Sequence, residues 1–382
     1  MYKSPKPIST LHIALASCVG TAIEFYDFYI YAFASALVIG TLFFPALDVQ
    51  AQRINTFLIF GLAFVARPLG AIAFGHFGDK FGRKQTLVFS LLFMGCSTFL
   101  IGLLPDYAVW GVTASVLLAV LRFCQGLGLG GEWGGAALLA IEHAPPNKRG
   151  WYGMFPQLGP SLGFVLAIGS FLLLETMLSS KQMFAWGWRL PFFASALLVV
   201  AGLYVRRRLN ETPDFIAVMQ DPHRVPFLHL VKTHAKCLLL CGMAMSAIYV
   251  LFYTTTVFCL SFATRQLGVS RHDFLLLLCL AVLFKVLTIM FCAKLSDRVG
   301  KRPVLLIGML ATIGVGFLMQ PLMTAGLLGI GLFLILALCS MAIMLGPIGA
   351  FLTSQFPVLM RYSGAGLSYH LGGILGAAVA PV

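Results

Sequence analysis

The chain has 382 residues, of which 59% are hydrophobic and only 10% are charged, and its formal net charge is +13. Ordinary globular proteins carry about 25% charged residues, so a water-soluble fold cannot enclose this much apolar surface, and an integral membrane protein is predicted. The positive charge comes without any basic–aromatic motif, and we expect no nucleic acid partner.

Eleven apolar runs are long enough to cross a bilayer as helices, which takes roughly 20 residues each. They predict an all-α membrane protein whose chain ends inside the eleventh helix. The nine cysteines lie in these runs without disulfide or zinc spacing, so we expect no metal site. The predicted spans are 12–40, 54–75, 86–104, 112–141, 151–177, 188–206, 237–263, 272–293, 303–321, 325–347 and 363–382.

The distribution of lysine and arginine orients these helices. With the N-terminus in the cytoplasm, eighteen of the 26 cations fall on inner segments, five on outer segments and three inside spans. Cytoplasmic loops of membrane proteins carry such an excess. We therefore expect a multi-pass protein with a cytoplasmic N-terminus, whose net charge reflects its topology.

Two acids stand in the middle of the first span. Glu24 and Asp27 are three residues apart and occupy neighbouring positions on one helix face. Ionisable residues inside a bilayer are functional candidates, and two close carboxylates in a low dielectric titrate as a coupled pair. We predict that Asp27 carries a proton and that Glu24 modulates it; the alternative is that either acid only forms an ion pair.

The second and fourth spans each contain a buried cation. A guanidinium binds a carboxylate with two hydrogen bonds, so Arg122, with Gln125 one turn further on, is predicted to bind substrate. Arg67 precedes Pro68, which can bend its helix. Arg67 is a second substrate candidate, or else a partner of Glu24 or Asp27.

The loop after the second span, GHFGDKFGRK at 75–84, recurs as AKLSDRVGKR at 293–302. Asp79 aligns with Asp297 at an offset of 218, and the glycine and two cations that follow also align. The copies predict two related halves in the same orientation around a central cavity, which is a transporter architecture. The glycines permit tight turns, and we predict that the charges form a conformational latch; the alternative is that they only set the topology.

A fainter repeat places Pro145 and Arg149 on Pro357 and Arg361. The charges near both repeats are predicted to act in gating. The predicted gating residues are Asp79, Arg83, Lys84, Glu132, Glu142, Arg149, Asp297, Arg298, Lys301, Arg302 and Arg361.

The fourth span is rich in glycine around Glu132, in the sequence GLGLGGEWGG. Small residues let helices approach closely in a membrane. Glu132 is ten residues beyond Arg122, about 15 Å along a helix, so the two are not direct partners. We expect Glu132 to meet the cations of the 75–84 loop.

Two further residues are predicted to bind substrate. Gln157 lies in FPQLGPSLGF, where prolines and glycines favour a bending helix that lines a cavity. Lys285 lies in the middle of the eighth span and would supply a cation from the second half. The alternative for Lys285 is a snorkelling or paired lysine.

Six spans precede the longest polar stretch of the chain, which contains three prolines. We predict an N-terminal six-helix bundle at 1–206, a cytoplasmic linker at 207–236, and a C-terminal bundle at 237–382 that is truncated in its eleventh helix.

Several stretches resemble the metabolite:proton symporter family of the major facilitator superfamily. The Gly-x3-Asp-[Arg/Lys]-x-Gly-[Arg/Lys]-[Arg/Lys] loop is typical of the superfamily. GTAIEFYDFYIY at 20–31, RFCQGLGLGGEWGGAALLAIEHAPPNKRGWYGMFPQLG at 122–159 and RYSGAGLSYHLGGILGA at 361–377 narrow the resemblance. It implies twelve spans, against the eleven found here, a latch that closes the cytoplasmic side, and an acid near Gln355 that this chain lacks.

The resemblance implies a monomeric secondary transporter in the bacterial inner membrane. We expect proton-coupled symport of a small organic acid, a mono- or dicarboxylate or a shikimate-like compound, by alternating access, with the proton as coupling ion and no cofactor. The alternatives are a symporter of zwitterions such as proline or betaine, and a transport-dead remnant. A membrane enzyme is not expected, because the loops contain no nucleophile or metal arrangement.

Overall fold

The structure is a computed structural model, and it describes residues 10–207, 210–218 and 227–379. Within these ranges the chain forms helices and no strand, so the predicted all-α fold is confirmed. The N-terminal lysines, the inner cations Arg208 and Arg224, and the predicted chain end inside the last span lie outside the described residues. The long helices are α1 (Thr10–Ala34), α2 (Val49–Phe81), α3 (Arg83–Leu103), α4 (Val112–Glu142), α5 (Phe155–Met177), α6 (Leu190–Arg207), α7 (Phe227–Tyr253), α8 (Arg271–Val299), α9 (Lys301–Met323), α10 (Gly326–Ser354) and α11 (Arg361–Val379).

Ten stretches of the described chain are long and apolar enough to cross a membrane. They overlap the first ten predicted spans, whereas the eleventh span corresponds to α11, a helix interrupted by polar residues such as His370. Large apolar side chains on the spanning helices are exposed: Leu197 is 75%, Phe317 80% and Leu328 90% accessible. Water would oppose such exposure, so these side chains form the surface that faces lipid.

The first helix of each predicted half contains the same irregularity. α1 continues through a π-helical turn at Ser35–Ile39 into Gly40–Phe43. α7 continues through a π-helical turn at Thr254–Phe258 into Cys259–Arg265. Such turns are rare and occur often at functional sites. Their matching positions extend the internal repeat from the loops to the helices.

The repeated loops adopt the same backbone turn. Gly82 joins α2 to α3 with φ 119° and ψ 150°, and Gly300 joins α8 to α9 with φ 94° and ψ 158°. Residues with a Cβ rarely adopt a positive φ, whereas glycine does so readily. This requirement explains the glycine in both copies. In the fainter repeat, a short 3₁₀ turn precedes Arg149 and Arg361 alike.

Glycines of α4 allow it to approach α2 closely. A Cβ at Gly126 would lie 2.5 Å from the carbonyl oxygen of Ala63, and a Cβ at Gly130 would overlap the carbonyl group of Arg67. The two backbones can meet at this distance only because no side chain separates them. The polar residues of α4 are thereby held beside those of α2.

The chain divides into two compact units. The first comprises Met1–Ala136 and Gly159–Gln220, and the second comprises Ala137–Leu158 and Asp221–Val382. The end of α4 and the start of α5 thus pack with the second unit. The domain boundaries drawn from the sequence stay a prediction.

Candidate functional site

Four side chains from three helices of the first unit form a hydrogen-bonded path. Thr98 on α3 donates to Oδ2 of Asp27 on α1 at 2.8 Å. Gln125 on α4 donates through Nε2 to Thr98 Oγ1 at 2.8 Å and to the Asp27 carbonyl oxygen at 3.2 Å. Arg122 donates through Nη1 to Gln125 Oε1. The path links the predicted proton carrier to the predicted anion-binding cation, and all four residues are buried.

Aromatic rings surround the guanidinium of Arg122. Its central carbon lies 4.1 Å from the ring centre of Tyr31, 4.8 Å from that of Phe28 and 5.1 Å from that of Phe60. Arg122 is 0% exposed, and its Nε and Nη2 have no hydrogen-bond partner among the described residues. The rings attract the cation but accept no conventional hydrogen bonds, so two donor nitrogens remain for another group.

Arg67 shares one of these rings. Its guanidinium carbon lies 4.4 Å from the ring centres of Phe28 and Phe64. Its Nε and Nη2 also lack a hydrogen-bond partner among the described residues. Phe28 therefore contacts two buried cations, Arg67 and Arg122, each with two unpartnered donor nitrogens. Such an arrangement can bind an anion with planar oxygen pairs.

Glu24 lies one turn before Asp27 and is also buried. Its Oε1 has no hydrogen-bond partner among the described residues. It interacts electrostatically with Arg206, Asp27 and Arg67. The ion pair between Arg67 and an acid of α1, considered as an alternative from the sequence, is not among the contacts of the described chain, so Glu24 and Arg67 are coupled only at longer range.

Glu132 has a different partner from the predicted one. Its carboxylate forms an ion pair with Arg206 at the end of α6, and Ser90 donates to Oε2 at 3.3 Å. The prediction that Glu132 meets the cations of the 75–84 loop is therefore wrong. The reason is local packing: Gly20 on α1 leaves space that the Arg206 guanidinium fills, so this cation reaches Glu132 inside the first unit.

The turn at Gly82 is bound by the segment that follows α6. The carboxylate of Glu211 accepts from the backbone N–H groups of Arg83 at 3.1 Å and Lys84 at 3.2 Å, at the N-terminus of α3. A carboxylate at this position is stabilised by the helix dipole. Arg83 Nη1 donates to Thr212 at 3.2 Å, and Lys84 Nζ donates to the carbonyl oxygen of Arg207 at 3.0 Å.

In the second unit the repeated aspartate itself binds a helix start. Asp297 accepts from the backbone N–H of Gly150 at 2.6 Å and of Trp151 at 2.8 Å. Lys301 Nζ donates to the carbonyl oxygen of Ala350 at 2.8 Å. The two copies of the loop therefore have different surroundings. In both cases a carboxylate binds the N-terminus of a helix. At Gly82 it belongs to Glu211, which lies outside the loop, and in the second copy it belongs to Asp297 of the loop itself.

The other predicted gating residues are placed as follows. Arg361 forms an ion pair with Glu142 at 3.1 Å within the second unit. Arg149 is half-buried, whereas Arg298 and Arg302 are exposed, and Asp79 is half-buried near the end of α2. Their roles in gating stay a prediction.

Two predicted substrate residues lie in the second unit. Gln157 is buried, and its Nε2 has no hydrogen-bond partner among the described residues. Lys285 is buried on α8, with Nζ 5.9 Å from the ring centre of Phe252. The contacts of these two residues leave their substrate role a prediction.

Three residues of the site were missed in the sequence. Thr98 stands in an apolar span beside Ser97, and two adjacent hydroxyl residues are the only signal it offers. Arg206 was counted as an inner cation, and Glu211 as part of the linker. Their partners become visible only when α1, α3, α4 and α6 are packed together.

A family model, several curated proteins and several solved structures are similar to this chain. A family model described as "Sugar (and other) transporter" matches residues 13–224. The chain is 47% identical over 377 residues to the inner membrane metabolite transport protein YhjE of Escherichia coli (strain K12), covering 97% of this chain and 86% of that protein. It is 34% identical to the shikimate transporter of the same organism, with coverage of 96% and 85%.

A third relative is the proline/betaine transporter of Salmonella typhimurium, which is 32% identical. The alignment covers 93% of this chain and 73% of that protein. Among solved structures, the proton:xylose symporter XylE matches with a TM-score of 0.82 at 17% identity, covering 97% of this chain and 87% of that one. These proteins are transporters and not enzymes. The chain therefore belongs to the sugar (and other) transporter family and has the fold of the major facilitator superfamily, as the resemblance in its sequence predicted.

Proposed function

We propose that the protein is a secondary active transporter that carries a small organic acid together with protons, by alternating access. The observation that supports this most directly is the pair of buried guanidinium groups, Arg67 and Arg122, that both contact the Phe28 ring. Their unpartnered donors fit a carboxylate-bearing substrate. A mono- or dicarboxylate, or a shikimate-like acid, has this chemistry.

The physical argument concerns the energy of a buried cation. Removing a guanidinium from water costs several kcal/mol, and an opposite charge or hydrogen bonds must offset that cost. A desolvated cation–π contact contributes about 2 kcal/mol. Three rings together offset much of this cost at Arg122, but they leave its Nε and Nη2 without hydrogen bonds, which an anionic substrate would supply.

Asp27 supports the proton-coupling part of the proposal. It is fully buried, and its Oδ1 has no hydrogen-bond partner among the described residues. An ionised Asp27 competes with the substrate for the positive charge of Arg122. Protonation removes this competition, so proton and anion binding favour each other. Glu24 would tune the process through its interactions with Arg67 and Asp27.

The remaining parts of the proposal follow the sequence and the relatives. We assign the protein to a bacterial inner membrane, with a cytoplasmic N-terminus, a monomeric state, and the proton as its only coupling ion. Gln157 and Lys285 remain candidate substrate contacts, and Gln125 would act on the substrate through its hydrogen bond to Arg122. The charges around Gly82 and Gly300 would act as the latch between transport states.

The experiment is uptake into proteoliposomes. Radiolabelled succinate, shikimate and betaine are offered side by side, with and without an inward proton gradient. We expect one of the two acids to accumulate with the gradient, and a protonophore to abolish the accumulation. Asp27→Asn should reduce net accumulation at least tenfold more than it reduces counterflow exchange, because exchange needs no net proton movement. Uptake that ignores the gradient would refute proton coupling.

A zwitterion is the second candidate, and one observation favours it. Tyr249 and Tyr253 stack with ring centres 6.4 Å apart, and Tyr369 packs on Tyr249 edge to face at 5.6 Å. Aromatic groups of this kind can attract a quaternary ammonium. Accumulation of betaine and of neither acid in the same assay would favour this candidate and would count against an anion site at Arg122.

A further inference from the structure

The hydroxyl of Thr98 has one proton and two acceptors within reach. Its oxygen lies 2.8 Å from Asp27 Oδ2 and 3.0 Å from the backbone carbonyl oxygen of Met94. The same oxygen accepts a hydrogen bond from Gln125 Nε2 at 2.8 Å. A hydroxyl group has a single donor and two lone pairs, so Thr98 can donate to Asp27 or to Met94, but not fully to both.

The protonation of Asp27 decides between these two positions. An ionised carboxylate only accepts, and a charged acceptor gives the stronger hydrogen bond, so the Thr98 proton then turns to Asp27. A protonated Asp27 can itself donate to Thr98 Oγ1. Thr98 then turns its proton to Met94 and accepts from Asp27 and Gln125 with its two lone pairs. Thr98 is satisfied in both states, and only a rotation about one bond separates them.

We propose that Thr98 is a hydroxyl switch that transmits the protonation state of Asp27 through Gln125 to Arg122. The inference rests on the proposed function, in which Asp27 carries the proton and Arg122 binds the anion. Thr98 and Gln125 are positioning residues in this scheme, since they act through Arg122. No atom is transferred between them: the only change is the direction in which the Thr98 hydroxyl points.

The direction of the coupling follows from hydrogen-bond cooperativity. A hydroxyl that donates to a carboxylate is a better acceptor, because bonds in a chain polarise one another. With Asp27 ionised, Gln125 is therefore held firmly, and its Oε1 binds Arg122 more tightly. With Asp27 protonated, Thr98 accepts two donors, its bond from Gln125 weakens, and Arg122 is released toward an incoming carboxylate. Proton binding thus strengthens anion binding.

Other titratable groups also act on Asp27. Glu24 and Tyr26 lie on the same helix and interact with it electrostatically. Arg122 on α4 reaches it through the path, whereas Arg67 on α2 and Arg206 on α6 act on Glu24.

None of these groups is changed in the variants below. Ser195 on α6 also places a hydroxyl group near Asp27, and this group is uncharged.

The first test is a pH titration of the reconstituted full-length protein by infrared difference spectroscopy. The carbonyl band of protonated Asp27 is identified by its disappearance in Asp27→Asn. In Thr98→Val, which keeps the side-chain shape and removes the hydroxyl, we expect this band to move to higher wavenumber, because the acid loses its acceptor. Thr98→Ser should restore the wild-type position. Ser97→Ala is the matched control: Ser97 is also buried, but it donates to the Phe93 carbonyl oxygen at 2.8 Å.

The second test measures shikimate uptake at external pH 5.5 and 7.5. In the wild type and in Ser97→Ala, half-saturation should occur at lower shikimate concentration at the lower pH. Thr98→Val should reduce this ratio about fivefold or more, the lower end of typical coupling between sites. Gln125→Met breaks the path one step later. It should reduce the ratio similarly while moving the Asp27 band to lower wavenumber, because Thr98 then accepts from Asp27 without competition from Gln125, and it serves as the second variant if Thr98→Val does not fold.

The outcomes separate the switch from the proposed function. An unshifted Asp27 band in Thr98→Val, or an unchanged pH ratio in Thr98→Val and Gln125→Met, overturns the switch. A wild type that neither binds nor transports shikimate counts against the proposed function for this class of acid. In that case the infrared titration by itself tests the role of Thr98.

Discussion

At the scale of single residues, Arg122 has the unusual combination of complete burial, three ring contacts and a neutral hydrogen-bond partner. Arg122 and Asp27 make no direct ion pair among the described contacts, since Gln125 and Thr98 stand between them. A direct pair would hold the guanidinium strongly and leave little of its charge for a substrate. The indirect arrangement keeps Arg122 ordered while its remaining donors stay available.

We predict that Arg122→Lys weakens binding of the transported acid roughly tenfold to a hundredfold. The lysine keeps the charge but loses the planar pair of donors, and a charged hydrogen bond is worth about 1.5–3 kcal/mol. Half-saturation of counterflow at a fixed pH measures the effect. Arg53→Lys, at an exposed position near the start of α2, is the matched control and should keep wild-type affinity. Wild-type affinity in Arg122→Lys would move the substrate site elsewhere.

The candidate residues could be selected from the sequence, but most of their partners could not. Glu24, Asp27, Arg67 and Arg122 stood out because ionisable groups are rare within spans. Which of them touch depends on how each helix is rotated about its axis. A rotation of one residue, about 100°, would exchange Thr98 for Ser97 on the face toward Asp27, and the apolar surroundings in the sequence do not distinguish the two.

At the scale of helices, the glycines of α4 determine which polar groups meet. Gly130 faces the backbone of α2 at Arg67, and Gly126 faces it at Ala63. The sequence correctly indicated a helix that neighbours can approach closely. It could not indicate that the close neighbour of these two glycines is α2, because a run of glycines offers a smooth surface in every direction.

We predict that Gly130→Ala lowers the stability of the folded protein by about 1–3 kcal/mol, the usual effect of overpacking. The added methyl group would overlap the Arg67 carbonyl and force α2 and α4 apart. Thermal unfolding in detergent, followed by loss of the monodisperse peak in size exclusion, measures the change. Gly61→Ala on α2 is the control, because a Cβ there meets no atom within 4 Å. Equal stability of both variants would contradict the close contact.

The repeated loops show what a sequence repeat can predict about an element. Asp79, Gly82 and their copies predicted a common turn, and the positive φ at Gly82 and Gly300 confirms it. The repeat did not predict that Glu211 binds the N-terminus of α3. Glu211 lies outside the repeated stretches found in the sequence, so only the packed chain reveals it.

At the scale of the whole molecule, the described helices show which stretches can cross the membrane, whereas the charge distribution predicts their direction across it. The helices give ten membrane-spanning stretches with an apolar surface. Their direction across the bilayer comes only from the cations, of which eighteen fall on one set of segments and five on the other. An asymmetry of this size predicts an orientation, because cytoplasmic loops carry an excess of positive charge.

We therefore predict that the segment between α5 and α6 faces the outside and that the predicted linker at 207–236 faces the cytoplasm. An epitope tag inserted after Ser179, which is exposed beyond the end of α5, should bind antibody in intact spheroplasts. The same tag inserted between residues 221 and 222 should bind only after permeabilisation. The two insertions control for each other, since each must be detected once the membrane is opened. The reverse pattern would invert every span and place Arg83, Lys84 and Glu211 on the outside. The latch proposed for the turn at Gly82 would then control the outer entrance instead of the inner one.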